Sequence, residues 1–444
     1  MRLTVAMAAR TIARSQPFPI HRMRIIPFFL SPTRALALAS LVAGLVTAVA
    51  AGSTWKVGQP IVTYWAGPPM TDATATQMRD GGFNLVWCGE KELDVARRHG
   101  LRAQLTDGLL SPTVLEQPAE RAKLDALIGR VRSHPAMYAY FLTDEPNTTN
   151  FAGLGRLVAY LRERDPAHLA YINLFPTYAN NEQLGTRGET VPAYVEHLRQ
   201  FVDVVKPALI SYDHYQFSVQ GDNDQYFLNL ALIRNKALAS GLPFLNIVQA
   251  CTWTPSMRVP TGDEMRFLVY STLAYGAQGL SYYVYSCAGH TGGLATAEGQ
   301  PTPLYHAIAP LNREFAACAA QLQPLRSLGA YHVGMLPPGA EAAPRELPFR
   351  LDPAPASAAY VKRQPVGGFL LGCFGPDRAG ASAAQTTHVV LVNLDYRQDA
   401  RIGLRGPRAL EQFDPASGTW RRLGRGRVDI ELPRGGGTLV RVRR

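Results

Sequence analysis

Eight times between residues 60 and 323, a short apolar run gives way to a stretch with helical spacing. The apolar runs fall at 60–69, 83–89, 101–108, 137–146, 169–176, 208–217, 243–253 and 279–286. The stretches between them predict helices near 71–80, 90–99, 114–133, 150–165, 193–204, 224–240, 261–277 and 303–323. Continuous apolar runs suit strands covered on both faces. Eight strand–helix alternations in about 265 residues are what a (β/α)₈ TIM barrel requires. An open, doubly wound sheet is the alternative, but no GxGxxG follows the first run and eight units favour closure. Glycines at 81–82, 100 and 241 stand between a helix and the next strand, as C-caps do. Thr261-Gly262-Asp263-Glu264 reads as a capping box.

The texture changes near residue 325. Residues 337–357 are rich in proline and alanine and read as a linker or long loop. Short strand-like runs follow at 367–375, 387–396, 400–406, 409–423 and 428–444, with the turn Asp414-Pro415-Ala416-Ser417-Gly418 inside the fourth. This predicts a small all-β sandwich domain. The expected organisation is a leader at 1–50, a barrel at 55–325 and a β-sandwich at 330–444.

Charge is uneven along the 444 residues. The net +11 divides into +6 for residues 1–50, −2 for 51–330 and +7 for 331–444. The large central region is therefore not basic, and no nucleic-acid partner is expected. The arginines after residue 330 are scattered, which reads as a solvated basic surface, with binding of an anionic polymer as the alternative. At the N-terminus, arginines precede the apolar run 35–53, which carries the small-x-small pattern Ala48-Val49-Ala50. That is the layout of a signal peptide cut after Ala50, with Met23 as an alternative start and an uncleaved anchor as the alternative reading. A secreted or periplasmic protein without stable membrane insertion after cleavage is expected. The five cysteines form no CxxC pair and have no zinc-site spacing, so buried, inert thiols are expected, and no metal or cofactor.

In a barrel of this class the site forms at the C-terminal ends of the strands. Those ends carry Tyr64 and Trp65, then Trp87, then Asp107, then Asp144 and Glu145, then Asn173, then Asp213, His214 and Tyr215, then Gln249 and Trp253, then Tyr283 and Tyr285. Flat rings stack on pyranose faces, and carboxylates, Asn and Gln pair with hydroxyls. Cleavage of a glycosidic bond needs a proton donor and a second group that attacks, activates water or stabilises positive charge. Glu145 is the candidate donor, because an apolar strand end and neighbouring carboxylates both raise its pKa. Asp213 or Asp144 is the candidate helper. Tyr64, Trp65, Trp87, Asp107, Asn173, His214, Tyr215, Gln249, Trp253 and Tyr285 are the candidate carbohydrate-binding residues. Against these stand blander readings: His214 as a hydrogen-bonded structural histidine, Asp107 as a turn residue, and some strand-eight tyrosines as packing. Pro146 biases Glu145 towards an extended backbone.

The Asp144-Glu145-Pro146 run at strand four resembles the Asn-Glu-Pro of clan A glycoside hydrolases, and the barrel with a β-domain resembles β-galactosidases of family 42. The likeness extends over residues 55–325 in architecture and implies that Glu145 is the acid/base. Two positions depart from it. Asp144 replaces the usual Asn, and strand seven offers Gln249 where the clan places its nucleophilic Glu. Three readings follow: Asp213 as base or nucleophile, a 2-acetamido substrate oriented by Asp144 that supplies its own nucleophile, or a barrel that binds glycans without cleaving them.

Overall fold

A computed structural model describes residues 60–443, and the expected leader at 1–50 lies outside the described residues. Eight parallel strands form one sheet: β1 Ile61–Val62, β2 Leu85–Cys88, β3 Arg102–Leu105, β4 Met137–Asp144, β5 Leu169–Leu174, β6 Ile210–His214, β7 Phe244–Gln249 and β8 Gly279–Tyr283. Each is followed by a principal helix: α1 Asp72–Asp80, α2 Leu93–Arg98, α3 Pro118–Val131, α4 Phe151–Arg164, α5 Thr190–Gln200, α6 Tyr226–Ser240, α7 Gly262–Ala274 and α8 Pro303–Leu322. The chain is a (β/α)₈ barrel with additional all-β sheets.

The strands pair in sequence from β2 to β8, and β8 returns to β1. The β1–β2 seam is closed by Asn84 and Trp87. Asn84 donates its backbone N–H to the Val62 carbonyl and accepts the Val62 N–H on its side chain, both at 3.0 Å. Trp87 Nε1 bonds the Tyr64 carbonyl at 2.7 Å farther up the seam. The first apolar run is thus a strand only over Ile61–Val62, with Trp65 bridging to Tyr283.

Alternate residues fill the barrel interior. Ile61, Leu85, Ala139, Leu169, Tyr171, Leu209, Leu245 and Ile247 form that core, each almost wholly removed from water. Burial of each large apolar side chain contributes roughly 1.5–3 kcal/mol. The opposite parity packs against the helices. Cap chemistry agrees with the sequence: Thr261 accepts the Glu264 N–H at 3.3 Å, and Glu264 accepts the Thr261 N–H at 2.8 Å. Gly241 ends α6 with φ 64°, the left-handed cap that only glycine adopts without cost.

After α8 the chain builds β9 Leu325–Val333, β10 Phe369–Pro376, β11 His388–Asn393, β12 Ala400–Arg405, β13 Leu410–Asp414, β14 Thr419–Gly424, β15 Arg427–Leu432 and β16 Gly437–Val442. A seven-stranded sheet runs Glu341–Ala342, β9, β10, β11, β16, β13, β14, and a three-stranded sheet runs Arg350–Leu351, β12, β15. Leu371, Val389, Leu391, Leu404, Ile430 and Val440 pack between them. The proline-rich stretch contributes a two-residue strand to each sheet, so it is stitched to the domain rather than a free linker. The other face of the large sheet lies on the barrel, where Leu370, Phe374, Val390 and Leu439 join the helix-side core.

Candidate active site

The site begins with an irregularity in β4. Phe141 pairs with Tyr171, but Thr143, not Leu142, pairs with Ile172, and Asp144 with Asn173. Leu142 is the extra residue of a β-bulge. A bulge reverses the parity of everything after it. Asp144 therefore lies over Asn173, an inward position, where unbroken alternation would have placed Thr143. The next residue, Glu145, donates its N–H to the Asn173 carbonyl at 2.9 Å and has φ 44°. The extended backbone expected before Pro146 is not found. The ladder bond to β5 holds Glu145 in the left-handed region, where a non-glycine residue costs of order 1–3 kcal/mol and tends to occur at functional sites.

Three carboxyl groups meet around Asn173. Its amide nitrogen donates to Asp144 Oδ1 at 3.1 Å and to Asp213 Oδ1 at 3.0 Å. Its oxygen accepts from Ser211 Oγ at 2.9 Å, and Ser211 in turn bonds Tyr171 at 2.7 Å. This chain fixes the amide orientation, so the nitrogen faces the acids. Asp213 is 2% exposed and lies beside Tyr215 and Glu145. Asp144 is surrounded by protein yet presents its carboxylate to the cavity.

Burial, then the charges of Asp213 and Asp144, hold the Glu145 carboxyl far above the usual carboxylate range. Burial and the Asp144 charge raise Asp213 too, against the hydrogen bonds from Asn173 and Tyr215. Burial raises Asp144, against the Asn173 bond. Two neighbouring carboxyl groups cannot both ionise cheaply. The pair therefore holds a proton to higher pH than an isolated carboxyl does.

These groups open into a cavity of about 620 Å³. Its walls carry Trp65, Tyr178, Tyr215, Trp253 and Tyr283. The Tyr215 ring lies 4.8 Å from Trp253 and 5.2 Å from Tyr283, and Trp253 lies 4.9 Å from Tyr283, so three rings form one panel. Tyr178 stands opposite His214 and is 40% exposed. One wall comes from beyond the barrel. Arg363 donates its N–H to Asp224 at 2.8 Å and its guanidinium to Gln220 at 2.8 Å. Tyr360 also bonds Asp224, and Tyr396 bonds both oxygens of Asp222 at 3.0 and 2.9 Å.

Of the ten predicted sugar-binding residues, Trp65, Asn173, Tyr215 and Trp253 line this cavity. The other six do not. Trp87 packs 4.9 Å from Trp65 and lines a neighbouring recess. Tyr64 is buried against Phe83 and Tyr285. Tyr285 follows the end of β8, so strand parity no longer aims it inward, and its hydroxyl accepts from Gln77 at 2.7 Å. Asp107 is a turn residue that accepts the Leu109 N–H at 2.8 Å. His214 is fully buried and bonds Asn229 at 3.0 Å, while burial lowers its pKa to about 4. Gln249 is roofed by two loops. It accepts the Phe217 N–H at 2.7 Å and donates to the carbonyls of Phe217 at 3.0 Å and Arg258 at 2.7 Å. Strand seven shows the cavity Ile247 and no carboxyl. Sequence reasoning missed Tyr178, Asp224 and Arg363, which sit on loops, and Asp222, which sits on the two-residue strand Gly221–Asp222, all too short or irregular for a periodicity to read. Tyr283 was visible as an alternating strand-eight tyrosine.

Among the described residues, no group of three His, Cys, Asp or Glu side chains is arranged to hold a metal ion, and no helix is long and apolar enough to cross a membrane. Cys88, Cys251, Cys318 and Cys373 are buried free thiols, each pushed up to about 12 by burial, and Cys287 is exposed.

No sequence family matches the chain, and no curated protein does. Solved structures share its fold. A catalytic mutant of a GH42 β-galactosidase from G. stearothermophilus aligns over 88% of this chain and 99% of its own, with a TM-score of 0.51 and 9% identity. A β-galactosidase from the psychrophilic Marinomonas ef1 aligns over 62% of each chain, with a TM-score of 0.43 and 12% identity, so this chain spans less than two thirds of that protein. The catalytic domain of a mannanase from Streptomyces sp. SirexAA-E aligns over 66% of this chain and 96% of its own, with a TM-score of 0.41 and 12% identity. At this identity the likeness is one of fold: the chain shares its TIM-barrel architecture with the GH42 β-galactosidase.

Proposed function

We propose that the chain is a glycoside hydrolase acting on an oligo- or polysaccharide, with Glu145 as the proton donor. One observation carries the reading: a carboxyl whose pKa is raised by burial and by the neighbouring Asp213 charge opens into a ring-lined cavity at the strand ends. Such a group donates to a leaving oxygen at neutral pH. Asp213 tunes the donor, since its charge raises the Glu145 pKa. Asp144 remains as the open carboxylate, aimed by Asn173, that stabilises positive charge, activates water or orients a 2-acetamido group. Arginines ahead of an apolar run in residues 1–50 support export, so the substrate is a glycan outside the cytoplasm.

The second reading is a barrel that binds glycans without cleaving them, favoured by the absence of a carboxyl from strand seven in the cavity. Incubation with a panel of aryl glycosides and polysaccharides separates the two. Wild-type protein is expected to release sugar. Glu145→Gln is expected to lower kcat by at least about 10²–10⁴-fold while glycan binding persists. Binding without turnover on every substrate would favour the second reading.

A further inference from the structure

We propose that the β-domain carries a second binding site, an arginine-lined concavity for an anionic polysaccharide. The arginines look scattered along the chain, but strand register gathers four of them. Leu410 at the start of β13 pairs with Gly424 on β14 and with Val442 on β16. Arg443 donates its N–H to the Ala409 carbonyl at 2.8 Å. Three strand ends and the 406–409 loop therefore converge, and Arg408, Arg422, Arg425 and Arg443 surround a concavity of about 750 Å³.

The charge there is unbalanced. Glu411, opposite Arg422 in the β13–β14 register, is one acid shared by Arg441 at 2.9 Å and Arg443 at 3.6 Å. Among the described residues, no carboxylate lies within ion-pair distance of Arg408, Arg422 or Arg425. In the same domain Arg397, Arg401, Arg405 and Arg427 each have an acidic partner. Guanidinium groups gathered on one surface repel one another, and a polyanion relieves that repulsion. Their planar donor forks match carboxylate and sulfate oxygens.

The lining also decides between polyanions. It consists of the four arginines with Gly406, Pro407, Ala409 and Gly426, and no aromatic ring. Single-stranded nucleic acid binding relies on rings on which bases stack. Membrane association needs an apolar face to insert. A site of charges without rings fits acidic substituents on a saccharide chain.

The test measures binding of the full-length protein to a heparin-derived oligosaccharide, polygalacturonate, neutral dextran and duplex DNA, at low and high salt. Both acidic saccharides are expected to bind, dextran not, and high salt should weaken binding by at least about tenfold. Arg408→Gln/Arg422→Gln/Arg425→Gln should lose at least about tenfold in affinity with Tm unchanged. If the triple variant misfolds, Arg425→Gln alone should lose about two- to threefold. Equal binding by variant and wild type, or none to either acidic saccharide, would overturn the site. Tighter binding of duplex DNA would overturn the saccharide assignment. No readout depends on turnover, so this site and the proposed hydrolysis fail separately.

Discussion

Asn173 does the most with the least chemistry. It is neutral, yet its one amide nitrogen serves two of three carboxyls, and its oxygen is tied to Ser211. It keeps the acids together without supplying a counter-charge that would ionise them all. The Glu145 pKa is raised partly by the Asp213 charge. Asp213→Asn removes that charge, so the Glu145 pKa falls. The basic limb of the kcat/KM–pH profile should move to lower pH by about one unit or more. A limb that stays in place would mean that Asp213 does not tune the acid. Asn173, Asp144, Glu145 and Asp213 were each legible at their positions. Their contact was not, because it depends on a bulge at Leu142 that no residue type announces.

At the scale of elements, strand seven separates this barrel from the clan it resembles. Gln249 stands at the strand end, where sequence alone invites comparison with a nucleophile, but it knits the loops that carry Phe217 and Arg258 to the barrel. Its two ends have opposite tasks, since the oxygen accepts one N–H and the nitrogen donates to carbonyls. A carboxylate has no donor to offer those carbonyls. Gln249→Glu should therefore cost about 2–4 kcal/mol in urea unfolding rather than create a nucleophile. Retained stability with new retaining activity would refute this account of the strand. Helix and strand positions were largely readable from periodicity, since each element buries one regular face. The loops were not, since their side chains answer to neighbours far along the chain.

For the whole molecule, two sets of buried groups pull stability in opposite directions with pH. Burial lowers His197 and His214 to about 4 and His332 to about 3. A depressed folded-state pKa gives stability that is present above the unfolded value near 6.5 and is lost as pH falls towards 4. Glu145, Asp213 and Asp144 are raised. Their contribution is fully present below the unfolded value near 4 and is lost as pH rises through their folded values. Between pH 6.5 and 4 the urea midpoint of His332→Gln should gain on that of the wild type, because the variant lacks one of the depressed histidines. Glu145→Gln should raise Tm by a few degrees at pH 8 and leave it unchanged near pH 4. The same pH dependence in His332→Gln and wild type, or identical Tm values for Glu145→Gln and wild type at pH 8, would contradict the assignment.

Local pattern by itself determined the eightfold alternation, the following β-domain and the strand-end position of Asp144 and Glu145, because strand and helix periods are written residue by residue. Only the tertiary structure decided which strand-end residues reach the cavity, that Tyr360, Arg363 and Tyr396 from beyond the barrel brace or build its wall, and that four distant arginines share one concavity. Those outcomes depend on a one-residue bulge, on loop paths and on strand register. Each is set by packing between segments far apart in the chain, and a single sequence carries no local signal of it.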